Sequence, residues 1–162
     1  MIRLRDTWTT ASLCAALMCA AAALPSCASA QDNSLGVFKR NGEGTNYTND
    51  PVADMIMTRE AIPGGIKIHG VGHRSDGTKV DYTVSVIYDG KDYPVSGVGS
   101  VYDTLAITQI DANHFRNETK KGKYSMKGTS EVSPDGKRLT IHNAGTDADG
   151  NPKDFVVVWV KQ

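Results

Sequence analysis

Four histidines are the residues of this sequence best suited to binding a metal ion or haem: His69, His73, His114 and His142. His69 and His73 are four residues apart, which places them on the same face of a β-strand. Each histidine alternates with apolar neighbours, as His69 does with Ile68 and His114 does with Phe115. If the apolar face is the core, all four point outward. We therefore expect solvated surface histidines, no metal site and no cofactor; an external metal site and an axial haem ligand are the alternatives.

The segment "DADGNP" resembles the opening of a calcium loop, with Asp147, Asp149 and Asn151 at positions one, three and five. An EF-hand needs Gly at position six and Glu at position twelve. This sequence has Pro152 and Val158 there. The segment is therefore predicted to be a hairpin turn.

Catalytic motifs are absent from the sequence, which has no nucleophile elbow, glycine-rich phosphate loop or zinc-protease spacing. Most acidic residues lie near predicted turns, where solvation explains them better than acid–base catalysis. The sequence leaves enzyme activity uncertain, with the balance against it. The enzyme alternative is a barrel isomerase, cyclase or lyase that uses a buried tyrosine, Tyr82 or Tyr124, as acid or base.

Repeated Asp-Gly pairs, starting at Asp76, Asp89, Asp135 and Asp149, predict how the chain is organised. Asp-Gly is a preferred pair for two-residue hairpin loops, because Gly and Asp tolerate positive φ better than most residues. With weaker turn signals between them, turns fall every 9 to 14 residues from Asp76 onward. This spacing predicts an up-and-down antiparallel meander.

The clearest strand is "KVDYTVSVIY", in which apolar residues from Val80 to Tyr88 alternate with polar residues. About ten such segments occur, and the mature chain has no long helical pattern. A meander would leave two unpaired edges unless its first and last strands met. We therefore predict an all-β fold, an up-and-down antiparallel β-barrel of about 8–10 strands.

A barrel of this size is either filled by its own side chains or keeps room for one small ligand. The predicted ligand-binding residues are those expected on the inner face: Tyr82, Val84, Val86, Tyr124, Met126, Phe155 and Trp159. The last strand, "DFVVVWV", is apolar on both faces, so its alternation leaves open which set points inward. The alternative for each residue is ordinary packing in a dry core.

Several segments resemble a family of small secreted bacterial lipocalin-like proteins: "GIKIHG", "YDGKDYPVSG", "DTLAITQIDANHF", "TKKGKYSMKGTSEVSPDGKRLTIHNAGTDADGNP" and "VVVWVKQ". The resemblance covers roughly Leu35–Gln162. It implies a calycin-type barrel and supplies no catalytic residues. The lipocalin entry motif, Gly-x-Trp, is altered here, because Gly36 is followed by Phe38 where the family has Trp.

The first 30 residues have the order of an export signal, with Arg3 and Arg5 before an apolar run and the small-residue site "ASA" ending at Ala30. Removal of residues 1–30 would leave one lipocalin-like domain, 31–162, in the periplasm or secreted. The alternative is a lipoprotein, because "LPSC" resembles a lipobox. Residues 1–26 would then be removed and Cys27 lipidated.

The mature chain is nearly neutral, because removing Arg3, Arg5 and Asp6 from 18 basic and 18 acidic residues leaves 16 and 17. This balance disfavours a nucleic-acid partner, which needs a basic surface. No segment after residue 30 is apolar enough to span a membrane as a helix. All three cysteines lie within the first 30 residues, so a domain starting at Gln31 has no disulfide.

These observations favour a barrel that binds a small apolar or amphipathic molecule. An envelope structural or interaction protein with a filled barrel is the alternative, besides the enzyme. The sequence carries no signal for an oligomeric state.

Export should yield a chain that begins at Gln31, because the charged, apolar and small-residue regions occur in the order that signal peptidase requires. Intact mass of the exported protein measures this. A mass equal to residues 31–162 is expected. A diacylated or triacylated Cys27 at the N-terminus would contradict the soluble form and establish the lipoprotein.

Overall fold

The computed structural model describes residues 31–47 and 52–162, except for the side chain of Ala53. The predicted signal segment and Cys27 lie outside these residues. The described chain forms eleven β-strands: β1 Gly36–Asn46, β2 Val52–Ile62, β3 Gly65–Arg74, β4 Lys79–Ile87, β5 Tyr93–Pro94, β6 Ser96–Val98, β7 Thr104–Gln109, β8 His114–Lys121, β9 Tyr124–Val132, β10 Arg138–Thr146 and β11 Pro152–Lys161. Within these ranges there is no helix long and apolar enough to cross a membrane.

All eleven strands form one antiparallel sheet, in the order β5-β7-β8-β9-β10-β11-β1-β2-β3-β4-β6. The first long strand pairs with the last, since Phe38 of β1 lies opposite Lys161 of β11. The two sheet ends, β5 and β6, are separated in the chain only by Val95. The sheet therefore curls into a nearly closed barrel, which confirms the all-β, up-and-down prediction; the strand number is higher because the closing segment contributes two very short strands.

Alternation decides which side chains enter the barrel. In β4, Val80, Tyr82, Val84 and Val86 are buried, whereas Ser85 is exposed. In β11, the set of Phe155, Val157 and Trp159 lines the interior, which fixes the orientation that the sequence left open.

Three of the four Asp-Gly turns are longer than the predicted two-residue loops. The β3–β4 connection spans residues 75–78, and Gly77 N donates to Arg74 O at 3.0 Å. Gly136 N donates in the same way to Ser133 O in the β9–β10 connection, at 2.8 Å. Gly is therefore the fourth residue of each turn, where its φ is positive: +83° at Gly77 and +70° at Gly136. The two-residue prediction was wrong because Asp caps a wider turn through its side chain, as Asp76 Oδ1 does for Thr78 N at 2.9 Å.

The fourth pair, Asp89-Gly90, does not join two paired strands. It carries the chain from β4 to β5, which pairs instead with β7. Gly90 N donates to Ile107 O at 3.1 Å, and Asp89 forms an isolated bridge with Thr108. The hairpin prediction is therefore wrong at this pair, because the turn spans the gap between β4 and β7.

Replacing Val84 with Asp should destabilise the barrel by several kcal/mol, because it buries an unpaired charge at a side chain that is 1% exposed. Ser85→Asp is the matched control on the outer face and should change the free energy of unfolding by no more than about 0.5 kcal/mol. Urea denaturation of the two variants measures the difference. Equal losses of stability would mean that the assignment of inner and outer faces is wrong.

Candidate ligand-binding site

An internal cavity of about 130 Å³ lies inside the barrel. Its walls are mostly apolar and include Met55, Met57, Ile68, Leu105, Ile107 and Val157. It extends toward the barrel end at which β1 and β6 finish, because Tyr47 and Ser100 also line it. The cavity is therefore lined by core residues and reaches toward that end of the barrel.

Four of the seven predicted ligand-binding residues line this cavity: Tyr82, Tyr124, Phe155 and Trp159. The other three, Val84, Val86 and Met126, are buried in the core but do not line it. Alternation fixes whether a side chain points inward. It does not fix the level along the barrel axis at which space remains, so the inner face contains both lining and packing residues.

A polar wall crosses three neighbouring strands at one level. Asn117 of β8 and Asn143 of β10 both lie opposite Gly128 of β9. Because Gly128 has no side chain, the two asparagines meet across it, and Asn117 Nδ2 donates to Asn143 Oδ1 at 3.1 Å. A Cβ at Gly128 would overlap Asn143 Oδ1. Asn117 and Asn143 both line the cavity.

Tyrosines supply further hydroxyl groups. Tyr102 OH donates to Tyr82 OH at 3.1 Å, and their rings pack edge to face with centroids 5.8 Å apart. Burial is the main reason that the pKa values of Tyr82, Tyr102 and Tyr124 lie above the usual phenol value. These phenols therefore stay protonated at neutral pH, where they can donate hydrogen bonds but cannot act as bases.

A buried cation lies among the lining residues. Arg59 follows Met55 and Met57 on the inner face of β2 and is 5% exposed. Its Nη2 donates to Ser34 Oγ at 2.9 Å. Burial lowers the pKa of the Arg59 guanidinium from its ordinary value, but arginine still carries its charge at neutral pH.

Ser34 connects this cation to a carboxylate. Asp32 Oδ1 accepts hydrogen bonds from Ser34 N at 2.8 Å and from Ser34 Oγ at 2.5 Å. Tyr88 OH donates to Asp32 Oδ2. Burial, followed by this contact with Asp32, raises the pKa of Tyr88 far above its usual range. The four side chains form one network, in which the serine hydroxyl separates Arg59 from Asp32.

The N-terminal segment, residues 31–35, brings Asp32 and Ser34 to the end of the barrel opposite Tyr47. Asn33 N donates to Ala112 O at 3.0 Å, and Gln109 Nε2 donates to Gln31 O at 3.0 Å. The segment is thus hydrogen-bonded to the β7–β8 turn and contacts Arg59 through Ser34. One end of the barrel is closed in this way.

Some buried polar atoms of the cavity wall have no hydrogen-bond partner among the described residues. They include Arg59 Nε, Trp159 Nε1 and Asn117 Oδ1. The guanidinium of Arg40, also a lining residue, lies 5.7 Å from the centroid of the Trp159 ring. Thr119 Oγ1 is a fourth such atom, and two of the four are N–H donors, so the wall has donor capacity to spare.

The histidines lie outside the barrel, as predicted. All four are exposed, and three contact acidic residues: His69 with Asp81, His142 with Asp154 and His114 with Asp111. No group of three potential metal-ligating side chains occurs in the part of the chain that the structure describes. The "DADGNP" segment is a turn, as predicted, in which Asp147 Oδ1 accepts from Asn151 N at 2.9 Å.

Arg59 is the main functional candidate that sequence reasoning missed. The segment "DMIMTRE" already carried the signal, because Arg59 continues the alternation of Met55 and Met57. Arginine is rarely buried, so the residue type favours an outward position despite this alternation. The buried position depends on Ser34 and Asp32, which lie far away in sequence.

Searches of protein-family models and of curated proteins found no match to this sequence.

Alkali should unfold the barrel once the pH rises above about 10. The phenols of Tyr82 and Tyr102 have raised pKa values when buried in the folded barrel, whereas in the unfolded chain they ionise near 10.0. The unfolded state then binds fewer protons, so stability is intact below this pH and falls above it. Ultraviolet absorbance of tyrosinate, followed with circular dichroism, measures both events. Ionisation of all six tyrosines at the usual phenol pKa in a folded barrel would contradict this prediction.

Proposed function

We propose that this protein is an exported lipocalin-like barrel that binds one small apolar or amphipathic molecule in its interior. The observation that carries the proposal is the cavity of about 130 Å³, with mainly apolar walls and a few polar groups. Ligand sites commonly combine a concave apolar lining with a few placed polar groups.

The size of the cavity limits the ligand. An engineered cavity of about 150 Å³ in another protein holds benzene. The cavity here is slightly smaller, so the best fit is a molecule of roughly one ring. Haem and long-chain lipids need the larger pockets that are typical of drug-sized ligands.

The cavity favours binding over a filled structural barrel, since a barrel that serves only as a scaffold has no need of unpartnered polar groups in its core. The lining also favours binding over acid–base catalysis. Among the described residues, it includes no Asp, Glu or His, and the phenols of Tyr82 and Tyr124 are held protonated.

Export to the periplasm or beyond the cell is part of the proposal and rests on the signal-like segment 1–30, with lipidation at Cys27 as the alternative. The lipocalin-like assignment rests on the quoted segments together with the barrel. A binding protein in this compartment would meet small organic molecules that cross the outer envelope.

Binding can be tested with toluene and benzyl alcohol, which match the cavity in size. The mature chain should take up about one molecule saturably, by ligand-observed nuclear magnetic resonance. Its melting temperature should rise with ligand concentration, because a ligand that binds only the folded state stabilises it. Failure of both probes to bind saturably or to shift the melting temperature would contradict the proposed function.

A matched pair of variants locates the site. Ser130 lines the cavity, whereas Ser125, on the same strand β9, lies outside the lining and alternates with the inward Tyr124 and Met126. Ser130→Leu should fill part of the chamber and weaken toluene binding by about tenfold or more. Ser125→Leu should leave binding unchanged. Equal effects of the two substitutions would place the ligand elsewhere.

A further inference from the structure

Arg59 is a buried cation that forms no salt bridge with any described residue. Among the described residues, its one side-chain hydrogen bond is to the neutral hydroxyl of Ser34. Asp32 is the nearby acid, but both of its carboxylate oxygens already accept hydrogen bonds, one from Ser34 and the other from Tyr88. The charge of Arg59 is therefore linked to the Asp32 carboxylate only through the hydroxyl of Ser34.

The guanidinium has donors to spare. It carries five N–H groups, and its Nε finds no acceptor among the described residues. Burying an ionised group with unmade hydrogen bonds is costly, so such groups are normally paired. An acceptor that enters the cavity can supply the missing partner, because Arg59 is one of its lining residues.

The rest of the wall fits an anion as well. Trp159 Nε1 is a second buried donor of the lining without a partner among the described residues. The described lining contains no Asp or Glu, and the carboxylate of Asp32 is separated from Arg59 by the hydroxyl of Ser34. The cavity therefore has a buried positive charge at Arg59, set among mostly apolar walls.

We infer that the ligand is a small monocarboxylic acid bound as its anion, with its carboxylate on Arg59 and a compact apolar body against the methionine and aromatic walls. This inference rests on the proposed function. The planar guanidinium matches a carboxylate through parallel hydrogen bonds. A phosphate monoester brings more charge and more acceptors than one arginine with an apolar surround can satisfy.

Benzoate and benzamide provide the test, because they have nearly the same shape and differ in charge. The mature wild-type chain at neutral pH should bind benzoate at least about tenfold more tightly than benzamide, by calorimetry or ligand-observed nuclear magnetic resonance. Phenyl phosphate, a dianion with the same ring, should bind more weakly than benzoate. Tighter binding of phenyl phosphate would overturn the carboxylate assignment.

Variants assign the preference to Arg59. Arg59→Met keeps the length of the side chain and should reduce benzoate to the affinity of benzamide. Arg116→Met is the control, because Arg116 is exposed on the outer face of β8; it should change neither ligand. If Arg59→Met fails to fold, Arg59→Lys, which keeps the charge but loses the planar fork, should still lower the preference for benzoate.

The outcomes separate this inference from the function on which it rests. If toluene and benzamide bind and benzoate has no advantage, the carboxylate inference is overturned and the binding role stands. If no probe binds the wild-type chain, both are overturned. An advantage for benzoate that survives in Arg59→Met would also overturn the assignment to Arg59.

Discussion

The closing segment Tyr93–Val98 is the feature on which the barrel depends, because β4 and β7 are each completed through it. Its first part pairs with β7 and its last part with β4, so six residues supply the missing hydrogen bonds to two strands. Gly97 passes so close to the backbone of Asp81 that a Cβ would overlap its carbonyl oxygen. An open edge would expose unpaired backbone groups and let the sheet flatten. The enclosed interior, and with it the cavity, follows from this closure.

A second constraint, the hydrogen bonding of Ser34, acts at the end of the barrel that the N-terminal segment covers. Ser34 is completely buried and makes two hydrogen bonds of opposite sense through one hydroxyl, donating to Asp32 and accepting from Arg59. A hydroxyl can do both at once, whereas a methyl group could do neither. The same residue therefore fastens the covering segment and holds the cation of the cavity wall. Stability of this end and polarity of the interior are coupled for that reason.

The sequence predicted the fold well and the site in part, and particular residues show why. Alternation over Val80–Tyr88 was sufficient to assign the faces of β4, because burial of one face imposes a period of two. It could not tell that Met126 packs while Tyr124 lines the cavity, since that depends on strand stagger and on neighbours across the barrel. It placed three Asp-Gly hairpin turns but not their lengths, which depend on side-chain capping, and it wrongly predicted a hairpin at Asp89-Gly90. Arg59 was missed because its partners come from the distant segment 31–35.

The interior polar groups bear on what the cavity can hold. The space beside two inward glycines is filled differently. A Cβ at Gly70 would overlap the ring of Tyr82, which packs there, whereas the side chains of Asn117 and Asn143 meet across Gly128. Apolar side chains at the two asparagine positions would have closed the same space without the cost of burying amides. A wholly apolar occupant would leave the donors Arg59 Nε and Trp159 Nε1 unpaired in dry surroundings. An occupant with one polar end relieves that cost and keeps the contact of its apolar body with the remaining walls, so the wall composition favours an amphipathic ligand over a hydrocarbon.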